Sequence, residues 1–236
     1  MIELFLENSR EVSLLSIVIR FLLSLVVGGV MGLERGRKNR PAGFRTYILV
    51  CLGATLVMMT NQYVHQTYQI SDPVRLGAQV ISGIGFLGAG TIVVTGRNQI
   101  KGLTTAAGLW TAACCGLAIG IGFYEGAILG CLTVLFATSG LQNFDTWMRK
   151  RSKYLDVYLE YNETEVPFHD FLQYAKEKHL EITNIQVSRE VPVPRNREGQ
   201  LWTNYILTVH TTVKRTHAES IDILAQTKGV QYIEEL

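Results

Sequence analysis

The sequence predicts an α-helical membrane bundle of five transmembrane helices followed by a small α+β domain of the ferredoxin-like, βαββαβ type. Three observations predict it. Four stretches of the first 150 residues, Thr46 to Val64, Leu76 to Gly96, Gly102 to Tyr124 and Gly126 to Phe144, contain no charged residue. A fifth apolar run, Ser13 to Leu33, is broken only by Arg20. Beyond Lys153 the hydrophobic period shortens to that of strands.

Each charge-free stretch holds 19 to 23 residues, enough at 1.5 Å per helical residue to cross a hydrocarbon core of ~30 Å. The spans are expected at about 13–33, 46–64, 76–96, 103–121 and 124–144, within a transmembrane domain of residues 1–148. The run around Arg20 counts as the first, because its summed hydropathy still favours insertion. A cleaved signal peptide fits poorly: Glu3, Glu7 and Glu11 face Arg10 in the leading region and no small-residue cleavage site follows.

Lys and Arg accumulate on the cytoplasmic side of membrane proteins. With five spans, Arg35, Arg37, Lys38, Arg40, Arg45, Arg97, Lys101, Arg149, Lys150, Arg151 and Lys153 share one side, and only Arg10 and Arg75 face the other. The expected topology is multi-pass in a bacterial inner membrane, with the N-terminus outside and the C-terminal domain in the cytoplasm. The first 150 residues carry 12 basic and 7 acidic groups, a net +5, and the remainder 10 and 13, a net −3. A basic rim beside anionic headgroups accounts for this split, so the lipid bilayer is the expected partner and nucleic acid is not.

In the tail, 151–236, Tyr154, Val157, Leu159 and Tyr161 read as a strand, and Phe168, Phe171, Leu172 and Ala175 as a helix. Strand-like runs over 182–191 and 202–212 flank a Pro, Asn and Gly loop at 192–199, and a helix over 218–228 and a strand over 230–235 complete the order. Regulatory domains of the ACT type share this arrangement. The tail reads either as a dimerisation or docking module, making the chain a homo-oligomer, or as a small-molecule sensor.

Inside the bundle, Cys51, Cys114, Cys115 and Cys131 all fall in spans without a neighbouring His, so no disulfide framework and no metal site is expected. Gly83, Gly85 and Gly88 spell a dinucleotide fingerprint, but no carboxylate lies between Asp72 and Glu125. With Gly90 they read instead as helix-packing glycines, as do Gly28 with Gly32, and Gly116 with Gly120. Arg20 is costly in a span unless satisfied: a pair with Glu125, snorkelling to the surface, and a functional polar cavity are the three readings. On the expected cytoplasmic face, Glu34, Arg35, Arg45, Thr46, Arg97, Lys101, Thr104 and Thr105 come from two neighbouring polar segments and form a candidate functional face, with a salt bridge from Glu34 to one of the basic groups.

Three motifs carry a family resemblance: Gly32-Leu33-Glu34-Arg35 through Ala42-Gly43-Phe44-Arg45-Thr46, Ile81-Ser82-Gly83-Ile84-Gly85-Phe86-Leu87-Gly88-Ala89-Gly90, and Lys101-Gly102-Leu103-Thr104-Thr105-Ala106-Ala107 with Trp110. They resemble the MgtC/SapB family of bacterial inner-membrane proteins over residues 12–140, and the tail resembles the longer members that end in an ACT-like domain. The resemblance implies a link to growth in low magnesium, to survival of pathogens inside macrophages, and to action on another membrane complex, the F-type ATP synthase. It implies no transport activity. The chain departs from the family's enteric virulence member at Thr104 and Thr111.

Two function classes follow. One is a regulatory membrane protein of magnesium, ion or energy homeostasis that binds another membrane complex. The other is a cation transporter or channel, with Mg²⁺ as cargo, for which oxygen ligands are scarce. An enzyme is not expected, since no nucleophile with a base and no paired carboxylates occur in the spans. No catalytic residue and no cofactor is assigned.

Overall fold

The computed structural model describes residues 11–37, 41–69, 72, 75–95, 99–187, 203–213 and 215–236. The chain divides into two compact units, one of Met1–Val93 with Ile100–Gln142 and one of Val94–Gln99 with Asn143–Leu236.

The first unit is a helix bundle. Helix α1, Leu14–Arg37, starts at a reciprocal cap in which the Ser13 amide donates to Ser16 Oγ and the Ser16 amide to Ser13 Oγ. It runs a turn past the expected end, so Glu34 and Arg35 sit on a helix rather than in a loop. Helix α2, Phe44–Tyr68, ends where Gln69 turns left-handed and its amide caps the His65 carbonyl. Helix α3 covers only Arg75–Ala89. The β-branched run Thr91-Ile92-Val93-Val94-Thr95 favours extended backbone, and the chain enters a two-stranded ribbon, β1 Val93–Val94 and β2 Ile100–Lys101. Gly102, at φ 99° against the Thr91 carbonyl, admits no side chain and opens α4, Leu103–Gly120. Helix α5, Tyr124–Leu135, continues through one π turn, Phe136–Gly140, in which the Leu141 amide donates to the Phe136 carbonyl. A further helix that the sequence did not suggest, α6, spans Gln142–Arg151 and from Asn143 onward belongs to the second unit.

Among the described residues three helices, α1, α2 and α4, are long and apolar enough to cross a membrane. Of the five expected spans, these three reach that length, and the other two are shorter. At 15 residues α3 measures about 22 Å, because the last third of the expected 76–96 span is strand-forming, and α5 with its π turn is likewise a shorter apolar helix.

Glycine sets the helix spacing, though at fewer positions than expected. A Cβ on Gly28 or Gly32 would lie 2.9 or 2.8 Å from α2 backbone atoms, and one on Gly120 would lie 2.6 Å from the Thr55 carbonyl. On Gly116 it would meet the Cys51 carbonyl. Helices α1 and α4 therefore close on α2 at van der Waals limits, around a core of Val27, Met31, Tyr47, Cys51, Leu109 and Ile119. Gly83 and Gly85 have no atom within 4 Å of a Cβ position, and Gly88 only ordinary contact with Ala106. Gly90 approaches only the carbonyls of its own turn, Phe86 and Leu87, and Trp110 lies on an exposed face. Among the described residues Gly88 packs on Ala106 of α4, and no comparably close helix approach is seen at Gly83, Gly85 or Gly90.

The second unit is built from β3 Tyr154–Tyr161, α7 Phe168–Glu177, β4 Leu180–Val187, β5 Thr203–Thr211, α8 His217–Ala225 and β6 Val230–Glu235. The strand order is β4-β5-β3-β6, antiparallel throughout, which is the split βαβ order. Alternate residues, Leu155, Val157 and Leu159 with Leu207 and Val209, pack against Phe171, Ala175 and Leu224. Thr216 and Glu219 form a full capping box at α8. The expected loop over 192–199 lies outside the described residues.

Candidate functional site

Two polar constellations are buried in the bundle, and α1 contributes to both. Its residues Ser16, Arg20 and Ser24 recur every fourth position on the buried face. Arg20 is wholly buried. Its Nη1 donates to the Gly120 carbonyl and to Gln62 Oε1, both at 2.7 Å, and its Nε donates to Tyr124 Oη at 3.3 Å. Gly120 is the last residue of α4, so its carbonyl is one of those that a helix leaves without an internal partner, at the negative end of the dipole. A guanidinium there answers both deficits. One turn along, Ser24 Oγ lies 2.6 Å from Thr55 Oγ1, which donates to the Gly116 carbonyl at 2.9 Å. The Arg20 side chain thus turns inward, away from the snorkelling geometry. Tyr124 brings α5 into this network.

The second constellation is at the other end of α1. Arg35 Nε lies 2.8 Å from Glu34 Oε2, with the two side chains only 6% and 12% exposed. Neighbouring positions on a helix diverge by about 100°, so this pair forms only because both side chains bend to one crevice. Ser139, inside the π turn, donates to Glu34 Oε1 at 3.0 Å. Arg35 Nη2 is buried without a hydrogen-bond partner among the described residues. Tyr47 fills the space over Gly108 and donates to the Thr105 carbonyl. A π turn at this place fits the rule that such turns mark functional positions.

Of the expected polar face, then, Glu34 and Arg35 come together and Thr105 is buried beside them through Tyr47. Arg45, Thr46, Lys101 and Thr104 are exposed, and Arg97 lies outside the described residues. Gln62, Ser24, Thr55, Tyr124 and Ser139 were missed: each is an uncharged polar residue in an apolar run, a weak signal against ordinary helix composition. All four cysteines are free. Among the described residues no three His, Cys, Asp or Glu group together as for a metal ion.

The profile of the MgtC family matches residues 21–147, a span that contains the Glu34–Arg35 constellation and the partners of Arg20 and begins one residue after Arg20 itself. The chain belongs to the MgtC family. Within it, the chain is 40% identical over 123 residues to the protein named "Putative magnesium transporter YhiD" of Escherichia coli, covering 50% of this chain and 57% of that protein. It is 40% identical over 130 residues to Protein SapB of Bacillus subtilis, covering 53% and 56%, and 38% identical over 120 residues to Protein MgtC of Salmonella typhimurium, covering 51% and 50%. The chain therefore spans about half the length of these curated relatives. No solved structure matches it.

Proposed function

We propose that this MgtC-family chain is a regulatory membrane protein of magnesium, ion or energy homeostasis, active in adaptation to low Mg²⁺ by binding another membrane complex, with F-type ATP synthase the candidate from family resemblance. The observation that carries the reading is the charge of the bundle interior. The charged residues buried there among those described are Arg20 and Arg35, and the carboxylate beside Arg35, Glu34, is engaged by Arg35 and Ser139. Mg²⁺ calls for near-octahedral oxygen coordination with a carboxylate or two, and two buried guanidinium groups oppose its passage. In this reading α3 and α5 complete a five-span topology, the second unit is an ACT-like domain in the cytoplasm, and that domain pairs two copies of the chain.

A second reading, transport of Mg²⁺, is favoured by the printed name of the Escherichia coli relative. Reconstitution in liposomes separates the two. The regulatory reading expects Mg²⁺ flux no greater than that of protein-free vesicles, together with restored growth in low magnesium when the gene is supplied to a deficient strain. Flux that scales with protein content would overturn it.

A further inference from the structure

A cleft of about 470 Å³ opens between α2, α3 and α4, in the range typical of ligand sites. Its walls are Leu49, Val80, Ile84, Leu87 and Ala113, and its polar lining is confined to one end, where Arg45 and Thr46 stand in the first turn of α2. Gly53 and Gly83, on opposite walls, leave the space above them empty. Arg45 is exposed and makes no ion pair among the described residues. The first-turn amides of α2 have no side-chain cap at Gly43, and that turn has no acidic residue, so the mouth offers only donors and positive charge.

From this polarity we infer that the cleft is a binding site for an anionic phospholipid, one acyl chain lying along α3 and the phosphate held at Arg45, Thr46 and the N-terminal amides of α2. The inference rests on the reading of α2, α3 and α4 as membrane-embedded. Helix α2 has 25 residues, about 37 Å, so its first turn falls at headgroup level when the helix spans a ~30 Å core. From Thr46 to Gly53 the cleft extends about 10 Å inward, which suits the upper part of a chain. A docked helix would fill the apolar body and leave Arg45 unanswered. No carboxylate lines the cleft, so the ammonium of a zwitterionic headgroup finds no partner, and basic pockets at helix ends select anionic lipids.

The test uses the full chain, purified in detergent and titrated with phosphatidylglycerol or phosphatidylcholine of identical acyl chains, the bound lipid being counted by native mass spectrometry. Wild type should retain phosphatidylglycerol preferentially. Arg45→Gln should reduce that preference about fivefold, the effect of one basic residue on an anionic lipid, while phosphatidylcholine binding is unchanged. Gly83→Leu, which fills empty space at an exposed position, should lower retention of both. Equal retention of the two lipids by wild type means non-selective annular lipid only and overturns the proposal, as does indifference to both substitutions. A Gly83→Cys variant that forms a disulfide between two copies in membranes would assign the cleft to a second copy and overturn it too. Carbonate extraction reports separately on the membrane reading: release of the chain into the soluble fraction defeats that reading, whereas lost lipid selectivity in a chain that stays in the membrane defeats this inference alone.

Discussion

Arg20 Nη1 and the Gly120 carbonyl oxygen stand 2.7 Å apart, although 100 residues separate them in the chain. The bond joins the middle of one apolar helix to the end of another. Removing the guanidinium strips a donor from a helix terminus, from Gln62 and from Tyr124 at once, and each buried acceptor left without one costs about 1–3 kcal/mol. Arg20→Ala is expected to lower the unfolding temperature of the detergent-solubilised chain by several degrees while leaving it in the membrane fraction. Arg20→Lys restores the charge without the planar fork and should recover only part of the loss. An unchanged melting curve for Arg20→Ala would show that these bonds contribute nothing net.

The glycines divide into two groups that substitution should separate. A Cβ on Gly120 would sit 2.6 Å from the Thr55 carbonyl and 2.7 Å from Met58 Cβ, so Gly120→Ala should force α4 away from α2 and destabilise by about 1–3 kcal/mol. Gly83→Ala enters empty space and should be silent in the same thermal unfolding assay. Equal effects would contradict the packing described.

Glu34→Gln keeps an acceptor for Ser139 but leaves Arg35 buried without its counter-charge. Breaking a buried pair from one side typically costs about 3–5 kcal/mol, and the partial exposure of Glu34 places this case at the low end. The variant should still reach the membrane but fail to support growth in low magnesium. Wild-type growth would reduce the pair to an orientation charge.

His217 makes the second unit sensitive to pH. One ring nitrogen faces Glu235 Oε1 at 2.8 Å and the other the Ser152 carbonyl at 2.9 Å. Both partners are acceptors, an arrangement that favours the doubly protonated ring. Burial opposes this charge, but the Ser152 carbonyl and the Glu235 carboxylate outweigh it and raise the pKa above the ordinary histidine value. A raised value contributes stability that is complete below the unfolded pKa of ~6.5 and is lost as the pH climbs through the folded one. A fragment of residues 143–236, which holds its own core, should therefore unfold at higher urea concentration at pH 6 than at pH 8, and His217→Gln should remove the difference. A difference that persists in His217→Gln would move the effect to another group.

Much of this arrangement is legible in the sequence because it follows from local pattern. Charge-free length marks the helices, and the period-2 spacing of Leu155, Val157 and Leu159 marks a strand before any partner is known. Arg20 announces itself as a lone charge in an apolar run. Its partners do not, because they come from three other helices and one is a backbone carbonyl that carries no sequence signal. The glycine motif at Gly83 to Gly88 shows the complementary limit. Small residues permit close approach, but whether a neighbour takes the space is decided by helix placement. Glu34 and Arg35 read as loop because charges cluster after Leu33, yet the last turn of a helix accommodates them when the crevice behind it is polar.

The distance along the chain between Arg20 and its partners also sets a timetable. Gln62 is 42 residues downstream, and Gly120 and Tyr124 are 100 and 104. At about 5–20 residues per second of synthesis, the α4 carbonyl emerges several seconds or more after α1 is made. During that interval the guanidinium carries an insertion cost of at least ~2.5 kcal/mol, eased only when α2 presents Gln62. The first helix therefore depends on water, on the insertion machinery or on a shifted position in the bilayer until the fourth arrives, and final seating of the earliest segment awaits one of the last.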